Sequence, residues 1–340
     1  MKKLITMALA ATSLMAVSSL TAFAGTEEPA EPYKVAFICR NTADTFAANI
    51  CEAFEKTVAE KYDGKINLDI LDADADTEKE NNLIETCITN QYDAIIVQPN
   101  DNDAQLPYCK QAVDAGMVVV TTNAGIRELE GGYWVDADPY EQGQCIAELA
   151  AKDIPENGSV CFMTCNPGNF HTESRLKAFH ELFLDKRPDV KLLAEKCTDR
   201  ADEGAFMSTM EDWVQAYGSF DGVLTIGDAL AKSCYEVVKD DPTWDNLLLY
   251  GVDGDPANLL LIKQGKIRCT VIQDTYDIAG NSLDVAYTAL TTGTADNVAL
   301  PANLVTIDNV DEWLDHYVEI GRLTQKDVDE VRAGAETEAE

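Results

Sequence analysis

Polar side chains gather after the apolar runs of this chain, in groups suited to holding a small hydrogen-bonding molecule. Arg40-Asn41-Thr42-Ala43-Asp44-Thr45-Phe46 follows one run, Gln98-Pro99-Asn100-Asp101-Asn102-Asp103 another, and Thr122-Asn123-Ala124 a third. The second half repeats the arrangement with Asn166-Pro167-Gly168-Asn169-Phe170-His171 and Asp199-Arg200-Ala201-Asp202. Gly227-Asp228, Asp253-Gly254-Asp255 and Gln273-Asp274-Thr275-Tyr276 complete the set. Asn, Asp, Gln and Arg donate and accept in pairs, as a polyhydroxylated ligand requires, while an aromatic face covers its C–H surface. Asp44, Asp103, Asp202 and Asp228 also read as helix caps, a role compatible with ligand contact.

The parts that catalysis would need are missing. No G-x-G-x-x-G follows the first apolar run, and neither a G-x-x-x-x-G-K-[ST] phosphate loop nor a G-x-S-x-G elbow occurs. Three histidines, His171, His180 and His316, are too scattered for a zinc site, and no cofactor is implied. Ten cysteines include no C-x-x-C pair; most fall at apolar positions, where a thiol acts as a small hydrophobe, so free buried thiols are expected. A net charge of −34 repels nucleic acid and anionic lipid, which excludes both as partners.

The elements that must position these groups alternate regularly. Apolar runs at 35–39, 66–71, 94–97, 118–121, 160–163, 192–194, 222–226, 247–252 and 269–272 read as strands. Amphipathic segments at 45–61, 78–90, 103–115, 140–152, 171–185, 203–217, 229–239 and 276–290 read as helices. In the first of these Phe46, Ile50, Ala53, Phe54 and Val58 recur at helical spacing. Strands that are apolar almost throughout, separated by helices, form a parallel sheet covered on both faces. The alternation runs through two sets, giving two α/β lobes, and ligands of such sheets bind beyond the carboxyl ends of the strands. At the N-terminus, Lys2 and Lys3, an apolar run to Leu20 and Ala22-Phe23-Ala24 form an export signal over 1–24. No Cys at the cleavage point offers a lipid attachment, so a free extracytoplasmic protein of about 316 residues is expected.

In order and spacing these blocks resemble the type I periplasmic sugar-binding proteins (ribose- and galactose-binding-like) that serve ABC transporters. The resemblance runs from Val35-Ala36-Phe37-Ile38-Cys39 and Asp44-Thr45-Phe46 through Asp93 to Asn100 and Val118 to Asn123. It continues with Val135-Asp136-Ala137-Asp138, Gln142-Gly143, Ser174 to Phe179, Gly251-Val252-Asp253-Gly254 and Thr270-Val271-Ile272-Gln273. It implies an α/β fold of two Rossmann-like lobes, each a parallel sheet flanked by helices, joined by a three-crossing hinge. Lobe one would be 33–137 plus 274–303, and lobe two 138–273 plus 304–330, followed by an acidic tail at 331–340. The matching ligand positions are Arg40, Asp44, Phe46 and Asn123 on lobe one, Glu173, Ala201, Gly227 and Asp253 on lobe two, and Gln273 at a crossing.

Several positions depart from the family pattern. Ala201 replaces the second stacking aromatic, Ala124 an Arg, Gly227 an Asn, and Glu173 a cationic contact, with Arg175 two residues away. These changes argue against an ordinary aldohexose or ribose unless Phe170, Trp134 or Arg200 compensates. Asp138 and Asp228 complete the candidate set. The function implied is a periplasmic solute receptor, a monomer that closes on a small polar ligand, a sugar by preference, and presents it to an ABC permease. A chemoreceptor or sensor kinase is a further candidate partner. The alternatives are a non-sugar ligand (nucleoside, polyol or furanone), a ligand carrying an amine to suit the acids, or a sensory protein without a transport role.

Overall fold

The computed structural model describes residues 31–199 and 201–338; the expected export signal and the candidate Arg200 lie outside the described residues. The first unit runs β1 (Tyr33–Cys39), α1 (Thr45–Lys61), β2 (Ile66–Asp72), α2 (Thr77–Thr89), β3 (Ala94–Val97), α3 (Asn102–Asp114), β4 (Val118–Thr122) and β5 (Tyr133–Ala137). The second continues with α4 (Pro139–Asp153), β6 (Ser159–Cys165), α5 (Phe170–Phe179), β7 (Lys191–Thr198), α6 (Glu203–Tyr217), β8 (Gly222–Thr225), α7 (Asp228–Val238), β9 (Leu248–Tyr250), α8 (Pro256–Lys263) and β10 (Thr270–Ile272). Then come α9 (Thr275–Thr292), β11 (Val298–Leu300), β12 (Asn303–Val305), α10 (Val310–Glu319) and α11 (Gln325–Glu338).

Two sheets follow the same winding. The first has the order β11-β5-β4-β3-β1-β2, every pair parallel. The second has the order β7-β6-β8-β9, also parallel, and isolated bridges Tyr250↔Cys269 and Asp253↔Ile272 bring β10 alongside β9. Alternation along each strand divides the core of the first lobe. Val35, Phe37, Ala94 and Ile96 pack with Ile50 and Phe54 of α1 and Leu283 of α9, while Ala36, Ile38, Ile95 and Val97 pack with Ile84 of α2 and Cys109 of α3. A sheet buried on both faces explains why its strands read as unbroken apolar runs.

Three crossings join the lobes. The first, at Asp138, leads from β5 to α4. The second, at Gln273 and Asp274, leads from β10 to α9, and the third, at Pro301 and Ala302, leads from β11 to β12. Because Asn303 pairs with Ile272 and Val305 with Thr270, the return strand is already in the second lobe at residue 303. Helix α11 extends through the expected tail to Glu338, held in part by Arg332, which bonds Asp311 and Asp315 of α10.

Acidic residues at the strand ends start the helices. Asp44, Asp76, Asp101, Asp138, Asp202, Asp255 and Asp274 each accept a backbone N–H of the following first turn, a bond typically worth about 1 kcal/mol. Asp44 and Asp202 therefore cap as the sequence suggests. Asp103 does not, because Asp101 holds that place, and Asp228 is the first residue of α7 behind Gly227. All ten cysteines are free, seven of them buried.

Candidate functional site

A cavity of about 360 Å³ lies where the carboxyl ends of the two sheets face each other. The first lobe contributes Arg40 after β1, Asp44 and Phe46 at the start of α1, and Asn123 after β4. The second contributes Asn166 and Asn169 after β6, Arg175 on α5, Gly227 and Asp228 after β8, and Asp253 after β9. Gln273 enters from the second crossing, and Ala201 is also in the wall. Seven candidate residues thus converge with Arg175 on one space: Arg40, Asp44, Phe46, Asn123, Asp228, Asp253 and Gln273.

Three candidates lie outside that lining. Asp138 is exposed and its carboxylate caps α4 through Tyr140 N at 2.8 Å. Glu173 is exposed and accepts from Gly168 N at 3.1 Å, so its charge steadies the loop before α5. Phe170 is half-buried with its ring edge-on to His171.

A continuous row of side-chain hydrogen bonds backs the cavity. Arg40 N donates to Gln98 Oε1 at 3.2 Å, Gln98 Nε2 to Asn123 Oδ1 at 2.9 Å, Asn123 Nδ2 to Gln273 Oε1 at 2.9 Å, and Gln273 Nε2 to Asp253 Oδ1 at 2.7 Å. The row begins in the first lobe, passes through a crossing and ends in the second. Asn123 has φ 46° and Asp253 φ 119°, left-handed conformations uncommon for non-glycine residues, which turn both side chains off their strand ends.

Arg175 anchors a second network. It is 4% exposed, and its guanidinium donates to Gln142 Oε1 at 3.0 and 2.6 Å and to Ile226 O at 2.7 Å. Its Nη2 lies 3.2 Å from His171 Nδ1. Arginine only donates, so Nδ1 accepts and the ring proton sits on Nε2. Burial and the nearby Arg175 and Arg40 charges push the His171 pKa well below its ordinary value, keeping the ring neutral. Nε2 has no partner and lies 4.0 Å from Asp136 Oδ1, which has none either. These two atoms belong to opposite lobes, and a small approach would join them.

Burial raises the carboxyls around the cleft. Asp253 is pushed up to about 6 by desolvation, against the pull of Arg175 and the Gln273 bond. Asp228, 1% exposed, is raised well above the carboxylate range by desolvation and by the Asp253 charge. Its Oδ2 accepts from Asp255 N at 2.8 Å and Thr270 Oγ1 at 2.9 Å, leaving Oδ1 without a donor.

Two open parallel sheets with opposed carboxyl ends, three crossings and a polar cavity between them describe a ligand clamp. A family model described as a periplasmic binding protein domain matches residues 35–295. The chain belongs to the periplasmic binding protein family. That is a family of ligand-binding proteins for transporters rather than of enzymes. A Rhizobium meliloti protein provisionally named as rhizopine-binding is 28% identical over 278 residues, 79% of this chain and 87% of the relative. A xylitol-binding protein of Mycolicibacterium smegmatis is 25% identical over 252 residues, 72% of this chain and 70% of the relative. A solved ABC transporter solute-binding protein of Bacillus halodurans, with bound myo-inositol, superposes with a TM-score of 0.77 at 22% identity, over 86% of this chain and 100% of that one.

Three residues beyond the candidate set belong to the site: Gln98 within the row, Gln142 as the partner of Arg175, and Arg322. Arg322 reaches the cavity from the turn between α10 and α11, beyond the matched region, with its guanidinium 4.7 Å from the Tyr317 ring centre. Gln98 and His171 were visible as polar residues at strand ends. Nothing in the local sequence marks Arg322.

Proposed function

We propose that this periplasmic binding protein is the extracytoplasmic receptor of an ABC importer for a small polyhydroxylated ligand, a monosaccharide or related polyol. The observation that carries this reading is the cavity itself, in which paired amide and carboxylate groups from both lobes and the crossing meet beside the Phe46 ring. Phe46 would cover one C–H face of the ligand, while Arg40, Asp44, Asn123, Asp253 and Gln273 would share its hydroxyls. Lobe one would comprise 33–137 and 274–302, and lobe two 138–273 and 303 onward. A ligand touching both lobes has higher affinity for the closed form, and that difference drives closure about the crossings. The closed monomer would then be read by a membrane permease, and by a chemoreceptor or sensor kinase if the protein also signals.

The test is thermal unfolding of residues 25–340, refolded to remove carried-over ligand, against pentoses, hexoses, polyols, nucleosides and amino sugars. A ligand at 1,000 times its Kd adds roughly 4 kcal/mol of stability. A large upward shift with one class names that class. No shift with any member refutes the reading.

A further inference from the structure

The charge of the cavity wall narrows the ligand class, an inference that rests on the receptor reading above. Six carboxylates line the cavity: Asp44, Asp202, Glu203, Asp228, Asp253 and Asp255. Three guanidiniums, Arg40, Arg175 and Arg322, are the cations among the described lining residues. Counting Arg200 as a fourth would still leave the acids in excess.

The cations are also largely committed. Arg175 spends its donors on Gln142 and Ile226 and packs on His171. Arg322 donates to Tyr317 OH at 3.2 Å. Arg40 Nη2 is 4.0 Å from Asp44 Oδ2. Among the acids, Asp44, Asp202 and Asp255 cap helices and Asp44 also faces Arg40. Asp253 lines the cavity, and its Oδ1 accepts only from the neutral amide of Gln273. Asp228 is nine-tenths buried and more, with Oδ1 unpartnered.

Water in an open cleft screens such an excess. Closure expels that water, lowers the local dielectric and strengthens repulsion between Asp44 and Asp253. A neutral polyol donates hydrogen bonds to these groups but brings no countercharge. A ligand with an ammonium group brings both, so its affinity for the closed form gains relative to the open one.

We propose that the ligand is a cationic amino sugar or amino polyol, with its ammonium group placed between Asp253 and Asp44 and its carbon skeleton against Phe46. Asp253 and Asp228 are both raised first by desolvation, Asp253 against the pull of Arg175.

The experiment is calorimetric titration of refolded residues 25–340 at pH 7.5 with matched pairs: glucosamine and glucose, galactosamine and galactose, an aminodeoxyinositol and myo-inositol. At least one amine is expected to bind ten times or more tightly than its neutral parent, and the advantage should shrink in 0.5 M salt and in Asp253→Asn. Neutral parents binding as tightly as their amines, or more so, would overturn the amine assignment while leaving the receptor reading intact. No binding by any member of any pair would overturn both. An amine advantage unchanged by salt and by Asp253→Asn would overturn the placement of its charge.

Discussion

Glu80 offers a direct test of how burial sets charge beside the cleft. It is fully buried on α2, where Oε2 accepts from Asn100 N at 2.9 Å and Asn100 Nδ2 at 2.7 Å, while Oε1 has no partner. Desolvation outweighs those bonds and lifts its pKa from 4.5 to about 7. The folded state therefore holds this proton more tightly than the unfolded chain does. Its contribution to stability is complete below pH 4.5 and is lost as pH rises through 7. At ~1.4 kcal/mol per pH unit, the loss across that window is about 3 kcal/mol. Glu80→Gln keeps the shape and both Asn100 bonds but cannot ionise. Urea unfolding of both proteins between pH 4.5 and 8 should show the wild type losing about 3 kcal/mol more than the variant. Asp136, Asp228 and Asp253 are raised in the same sense but are common to both proteins, so they cancel. Parallel stability curves would refute the argument that a neutral carboxyl is held there.

Three further outcomes follow from the same geometry. Gln273→Leu strands Asn123 Nδ2, on a residue 2% exposed, and should cost about 1–3 kcal/mol in urea unfolding; an unchanged midpoint would mean that the amide row carries no stability. Gly143→Ala would place a Cβ 2.8 Å from both Ala178 Cβ and Arg175 O, where α4 meets α5, and should lower stability by about 1–3 kcal/mol. Phe46→Ala should weaken whichever probe binds in the receptor screen by roughly tenfold, about 1.4 kcal/mol, and equal affinity by titration would remove the ring from the ligand contact.

The parts of the fold that were legible share one property: a local signal. β3 is apolar at every position, and β1 from Val35 to Cys39, because both faces are covered there, and α1 carries its stripe behind Asp44. Arg40, Asp44, Asn123, Asp253 and Gln273 could be placed at the site because parallel sheets put strand ends together. β5 and β11 were harder, since Tyr133 and Trp134 are only partly buried and β11 has three residues without a buried one. α8 did carry a signal, with Asp255 capping and Pro256 at its first position, but Leu259 to Ile262 resemble a strand as easily. The burial of Arg175 depends on Gln142 from another helix and a carbonyl from another strand end. The displacement of Glu173 from the cavity depends on Gly168 turning its N–H inward. Neither is visible one residue at a time.

The row of amides behind the cavity has a sense of direction that cannot be reversed piecemeal. At its origin, the backbone N–H of Arg40 and the thiol of Cys39 both point at Gln98 Oε1, and a main-chain N–H cannot become an acceptor. Gln98 must therefore turn its NH₂ outward. Asn123 and Gln273 must follow in step, because one inverted amide would set oxygen against oxygen on one side and N–H against N–H on the other. The polarity arrives at Asp253 as a donor and reserves Oδ1 as an acceptor. Any proton that Asp253 takes up is thereby directed to Oδ2. A main-chain N–H in one lobe thus dictates which oxygen of a carboxyl in the other lobe must stay an acceptor.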